Sequence, residues 1–308
     1  MKRLLLTALA STTLLAGCAD CNKSGSGEAP STIDSGSPER PVASTPTRTE
    51  GGTLNATPTP TASVAALVNP DHLPEYKGPT GSVEGTITVT GDPAPATPGD
   101  FSRCPDAEKT WGHAFREGPP GPGGARLLAD AMVVVTGYKG FYVPETQEAK
   151  EIRIEGCGFT TRTLTMTFGE RLEVKNLSKD FWTPVLDPGP NLVLMMATPG
   201  GDPAKIYPKK PGHYVLSDRD RKYAKVDVYA FLHPLHTASS PTGFYRIDGV
   251  PVGKLRVSTT HSQIDSNAEA DVTIAAGVVL KVDLVLKNVN KEAGAPLPVD
   301  AAAAPALR

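Results

Sequence analysis

The chain has 308 residues and a net charge of −2 at pH 7, with 39 % hydrophobic residues. So balanced a charge gives no support to nucleic-acid binding, and beyond the N-terminus no stretch is long and apolar enough to cross a bilayer as a helix. Thirty Gly and thirty Pro with only 6 % aromatic residues argue against helical bundles and for strands, turns and linkers.

The first element is an export signal. Met1-Lys2-Arg3 precedes an apolar run from Leu4 to Leu15, and small residues Ala16-Gly17 precede Cys18. Cations followed by about a dozen apolar residues form a signal peptide, too short to span a membrane comfortably. Leu15-Ala16-Gly17-Cys18 resembles the bacterial lipobox. The resemblance implies cleavage after residue 17 and lipidation of Cys18, with two or three acyl chains as a durable membrane anchor. An ordinary secretory signal with an incidental cysteine is the plainer alternative. Ala19 after the anchor favours the outer membrane, with the protein facing the periplasm or the cell surface.

Residues 18–80 are rich in Ser, Thr, Pro, Ala and Gly, as in Thr57-Pro58-Thr59-Pro60-Thr61. Such a stretch has too little apolar surface to offset the entropy of ordering it. It is expected to be a disordered tether, reaching roughly 40–47 Å as a flexible coil. Residues 291–308, with Ala301-Ala302-Ala303-Ala304-Pro305, are expected to be a second loose end.

Between them the apolar pattern has period two. Val83, Ile87 and Val89 alternate with Glu84, Thr86 and Thr88, and Leu164, Met166 and Phe168 with threonines. Val226 and Val228 alternate with Lys225 and Asp227; Val278, Leu280, Val282, Leu284 and Leu286 share one face. This predicts half-buried strands, and an all-β, antiparallel Greek-key sandwich architecture. Met132-Val133-Val134-Val135 is continuously apolar and predicts a central strand, while 106–116 predicts a short helix. Turn signals separate the runs, among them Pro119-Pro120-Gly121-Pro122-Gly123-Gly124 and Asp248-Gly249.

Ser240-Pro241-Thr242-Gly243-Phe244-Tyr245-Arg246-Ile247-Asp248-Gly249-Val250-Pro251-Val252-Gly253-Lys254-Leu255-Arg256-Val257 resembles the hairpin of carboxypeptidase regulatory-like (transthyretin-like or prealbumin-like) domains. The resemblance assigns a sandwich to 237–290, with turns at Gly243 and Gly253 and with Tyr245, Ile247, Leu255 and Val257 inward. Residues 81–236 resemble cupredoxin-like proteins of the plastocyanin or methylamine-utilisation type. The shared segments are Gly81–Gly85, Cys104, Ala131–Val135, Gly156-Cys157-Gly158-Phe159, Phe168–Asn176 and Lys210–Leu216. The first strand of the regulatory-like part is a candidate for borrowing from 81–90, with the cupredoxin-like part inserted.

In copper-binding cupredoxins a His follows the position of Asn176, a Cys stands where Ser217 is, and a second His, often with a Met, follows. Here Phe181-Trp182-Thr183-Pro184 and Ser217-Asp218-Arg219-Asp220-Arg221 occupy those places. A blue-copper centre needs a thiolate and two imidazoles, and a serine hydroxyl beside two arginines does not replace them. The fold therefore carries over and the copper does not. The resemblance also implies a Cys104–Cys157 disulfide, permitted in an exported protein, with two separate thiols as the rival. Cys21 is left over.

His233-Pro234-Leu235-His236 has metal-site spacing, but the proline puts it on a loop; His213 and His261 could join it in space. Loop histidines without metal are the plainer reading. No Gly-x-Ser-x-Gly, phosphate-loop or His-Glu-x-x-His pattern occurs, so no catalytic residue is assigned. Arg219 and Arg221 are a candidate surface for an anionic partner, and Trp182 is either core packing or an aromatic platform. The expectation is a non-enzymatic envelope lipoprotein without a cofactor. Its partners would be the membrane through the lipid and an envelope protein or polysaccharide. The alternative is a periplasmic copper-binding electron carrier that uses His213, His233 and His236.

Overall fold

The structure, a computed structural model, describes residues 61–189 and 195–290. The signal segment 1–17, the lipidation site Cys18, Cys21, the tether up to residue 60 and the tail 291–308 lie outside the described residues. In chain order come helix α1 (Thr61–Val68), strand β1 (Thr80–Gly91), helix α2 (Pro105–Trp111), β2 (Arg126–Leu127) and β3 (Met132–Thr136). Then follow β4 (Ala149–Glu155), β5 (Gly158–Phe159), β6 (Thr163–Thr167), β7 (Arg171–Asn176), β8 (Pro184–Asp187), β9 (Ala204–Ile206), β10 (Gly212–Asp218) and β11 (Lys225–Phe231). The last are β12 (His236–Ala238), β13 (Phe244–Pro251), β14 (Gly253–His261), β15 (Ile264–Ile274), β16 (Val279–Lys281) and β17 (Leu284–Asn288).

The architecture is an all-β sandwich built from several sheets. In the first pair of layers, β6-β11-β10-β8 faces β5-β4-β7-β9. The shared core includes Ile152, Ile154, Met166, Leu172, Val174, Leu216, Val226 and Val228. In the second pair, β13, β2, β16 and β17 gather around β1 and face β12-β3-β14-β15. That core includes Val83, Ile87, Val89, Val133, Val135, Tyr245, Ile247, Leu255 and Val257. Most pairings are antiparallel; β1–β16, β1–β17, β6–β11 and β4–β7 are parallel.

The sheets do not divide at residue 236. β1 pairs antiparallel with β13 and parallel with β16 and β17, and β3 lies between β12 and β14. So β3, expected within the 81–236 sandwich, belongs to the sheets of residues 236–288, as does β1, the strand that the regulatory-like part was a candidate to borrow. Residues 149–231 form the other sandwich between them. Alternation marks a strand as half-buried but carries nothing about which strand it will pair with.

The apolar run of β3 has a simple cause. Val133 and Val135 face one core, while Met132 and Val134 turn the other way and pack on Phe231 at the end of β11. Both faces of β3 are covered, so nothing selects for polar alternation.

Two expected features differ in the structure. Residues 61–80 are ordered, not part of a disordered tether. Asn69 accepts from Leu73 N and donates to its carbonyl, each at 2.8 Å, and Tyr76 N donates to Tyr142 O at 2.8 Å. Tyr76 also packs its ring on Phe141, with centroids 4.5 Å apart. The anchoring groups are few, and the partners of Tyr76 lie some sixty-five residues downstream. The run from 278 to 286 is likewise two short strands, not one. At the break, Val282 O accepts from Tyr245 Oη at 2.7 Å and Asp283 Oδ1 accepts from Thr86 N at 2.8 Å. A Cβ at Gly85 would lie 1.9 Å from Val282 O, so only glycine permits this approach in the middle of β1.

Candidate functional site

The loop end of the 149–231 sandwich is where the copper-binding resemblance points. Strand alternation in β10 buries Tyr214, Leu216 and Asp218, and Ser217 lies on the opposite face. The inward residue at this end is thus Asp218, not Ser217. Its carboxylate is only 2 % exposed as part of the buried residue, and both oxygens are engaged. Oδ2 accepts from Thr183 N at 2.8 Å; Oδ1 accepts from Arg221 N at 2.7 Å and Asp220 N at 3.1 Å.

Arg221 lies over Trp182, its guanidinium carbon 4.2 Å from the ring centroid. It donates to Asp180 Oδ2 at 3.1 Å and Phe181 O at 3.2 Å, and approaches Asp218 Oδ1 at 3.7 Å. Trp182 is 1 % exposed and donates from Nε1 to Ser178 Oγ at 2.9 Å. Trp182 is therefore a core residue, the packing alternative of its two readings and not a binding surface; the exposed neighbour is Phe181, at 63 %. Arg221 is committed to this stack, and Arg219 is exposed nearby with its N donating to Thr183 O. The donors here do not fit a cupredoxin copper. A carboxylate saturated by N–H groups, an indole and a guanidinium supply neither thiolate nor imidazole and place a positive charge in the same space.

The three candidate histidines do not converge. His213 is exposed, shares a 2.7 Å hydrogen bond with Asp227 Oδ1 and stacks on Tyr229 at 4.6 Å. Tyr229 stacks on Phe231, and Phe231 on His236 at 4.8 Å. Two aromatic rings thus separate His213 from His236. Among the described residues, no three His, Cys, Asp or Glu side chains come close enough to hold a metal ion.

His236 instead joins a buried polar cluster between the two sandwiches. Thr167 Oγ1 donates to Glu145 Oε2 at 2.6 Å and lies 3.2 Å from His236 Nε2. Glu170 Oε2 accepts from Thr167 N, while Glu170 Oε1 and His236 Nδ1 have no hydrogen-bond partner. Lys150 Nζ is 3.9 Å from Glu170 Oε1. Burial pushes the Glu170 carboxyl up to about 7, against the Thr167 hydrogen bond and Lys150. Burial pushes His236 down to about 3, helped by His233 and Lys150, and alone pushes His233 down to about 4.

A groove of about 1120 Å³ lies on the outer face of β10 and β11, walled by residues 97–104 and Trp111. Arg103, Arg162, Arg221, Lys222 and Lys225 line it with Asp100, Asp180, Asp220 and Asp227. Its wall is fastened by the Cys104–Cys157 disulfide, with Cα atoms 5.8 Å apart. Burial works to raise the Asp227 carboxyl, but hydrogen bonds from His213 and Ser262 outweigh it and hold Asp227 low.

No family model matches the sequence, and no curated protein matches it. Among solved structures, amicyanin from Paracoccus versutus (Thiobacillus versutus) is similar at 15 % identity. The match covers 28 % of this chain and 84 % of that one, with a TM-score of 0.24.

Sequence reasoning identified Cys104, Cys157 and the Trp182–Arg221 neighbourhood but missed Asp218 as its pivot. The signal was present: an Asp closing an inward alternation, three residues before an Arg. Arg103, Lys222 and Lys225 were not singled out because only folding brings 97–111 against 215–227.

Proposed function

We propose that this chain is a non-enzymatic lipoprotein of the bacterial cell envelope, anchored through Cys18, in which a cupredoxin-like sandwich without copper and a regulatory-like sandwich together form a binding module. The observation that carries the reading is Arg221, held over Trp182 and against Asp218 where copper-binding relatives would gather their ligands. A guanidinium stacked there contributes roughly 0.5–2 kcal/mol and opposes any cation. The N-terminal Leu15-Ala16-Gly17-Cys18 supports the anchor.

Two measurements test this. Protein purified from its native host is expected to be colourless and to carry far less than equimolar copper. A tight, stoichiometric Cu(II) absorption signal, lost in a His233→Ala/His236→Ala variant, would replace this reading with the electron carrier. Cells fed a fatty-acid probe are expected to label the wild type and not Cys18→Ser.

A further inference from the structure

We propose that the groove on the outer face of β10 and β11 binds an acidic oligosaccharide, through the cations Arg103, Lys222 and Lys225 and the exposed ring of Phe181. The inference rests on the reading of the chain as a binding module and supplies the chemical class of its ligand.

The groove is built before any ligand arrives. Trp111 Nε1 donates to Lys225 O at 3.3 Å, and Tyr223 Oη to Cys157 O at 2.9 Å. Arg162 donates to the carbonyls of Thr110, His113 and Ala114 at 2.9, 2.9 and 2.6 Å. With the disulfide, these bonds fasten wall to floor, so little ordering is left for binding to do. Its volume suits a ligand of two or three sugar rings.

Its charges are unevenly spent. Asp180 is paired with Arg221, and Asp227 accepts from His213 and Ser262. Asp100 accepts from Ser102 N at 3.0 Å. Among the described residues, no carboxylate forms an ion pair with Arg103, Lys222 or Lys225, and all three are exposed in the groove lining. A hydrogen bond from a neutral donor leaves a carboxylate its charge, so Asp100, Asp220 and Asp227 remain anions, with Arg103 acting on Asp100; five cations against four carboxylates leave the lining one net positive charge.

The floor excludes a peptide that binds by adding a strand. β10 is hydrogen-bonded on both sides, to β8 and β11, and β11 to β10 and β6. Their backbone groups are consumed, so no strand can add there. Recognition falls to side chains, which suits a ligand rich in hydroxyls. Asp100, Asp220 and Gln263 offer polar groups to them, and Phe181 offers a ring face at one end.

Calorimetry on the full-length protein in detergent tests this with three probes: trigalacturonate, the neutral maltotriose, and hexaglutamate. Trigalacturonate is expected to bind, with affinity falling as salt rises. Lys222→Glu/Lys225→Glu and Phe181→Ala are each expected to weaken it roughly tenfold or more, while Lys287→Glu, outside the groove, leaves it unchanged. Thermal melts confirm that the variants are folded. The proposal is overturned if trigalacturonate does not bind at millimolar concentration, if maltotriose or hexaglutamate binds as well, or if the groove variants bind normally. Such a result with copper-free protein defeats this ligand class alone; near-equimolar native copper defeats the binding-module reading itself.

Discussion

Asp218 accepts from three partly buried backbone N–H groups, those of Thr183, Asp220 and Arg221. Removing the acceptor strands them together. Asp218→Ala is therefore expected to cost about 3 kcal/mol, a fall in melting temperature of roughly 6–12 °C for a body of this size. Arg221 is a different case, because its side chain is partly exposed and its ion pairs are screened. Arg221→Ala is expected to cost only about 1 kcal/mol but to uncover Trp182. The protein has two tryptophans, so Trp182 emission should shift to the red while Trp111, under the wall of the groove, does not change. An unshifted spectrum would show that the guanidinium is not what covers the indole.

Between β6, β11 and β12, one carboxyl and two imidazoles are buried with opposite consequences for pH. The Glu170 carboxyl titrates at about 7 in the fold against an ordinary 4.5. The folded state therefore holds a proton that the unfolded chain has lost, and this contribution is lost as pH rises from 4.5 through 7. His233 and His236, and His261 at about 4, are depressed from an ordinary 6.5. The unfolded chain then holds protons the fold refuses, so stability is lost as pH falls below 6.5. Three histidines outweigh one carboxyl, and together they give a net loss of roughly 2–3 kcal/mol per pH unit near pH 5.5. Glu170→Gln is expected to remove the opposing contribution and steepen that loss, read from urea midpoints at pH 5, 6 and 7. The elements themselves were largely legible. Tyr245, Ile247, Leu255 and Val257 are inward as the hairpin pattern requires, and Gly243 has φ of +73° in its turn. What alternation does not carry is the second face of a strand. Thr163 and Thr167 read as the outward residues of β6, yet both are buried, Thr167 because its hydroxyl meets Glu145 and His236 from across the junction.

At the scale of the whole molecule, the 149–231 sandwich is joined to the other by two crossings of the chain, by the Phe231 contact and by the Thr167 cluster. Calorimetry is expected to show one unfolding transition; two resolved transitions would show that the sandwiches are energetically separate. The disulfide closes a loop across 53 positions and is expected to contribute about 4 kcal/mol in the chain-entropy model, so Cys104→Ser/Cys157→Ser should lower the melting point accordingly. The site was less legible than the fold for a reason of distance. Lys222 and Lys225 acquire meaning only beside Arg103, more than a hundred residues earlier, and a charge read alone in a sequence is a solvated charge.

The pairing of β1 with β13, β16 and β17 sets the order in which this protein can be made. Thr80–Gly91 leaves the ribosome early, and apart from the two-residue β2 its partner strands arrive about 160 to 200 residues later. Until then a long, alternating, β-prone segment has open edges. The interior sandwich can finish first; the outer one closes last, around a strand that has waited for most of synthesis, and contacts so far apart make that closure slow. A chain stopped at residue 243 would possess every strand of the interior sandwich and still leave its own first strand without its principal neighbours.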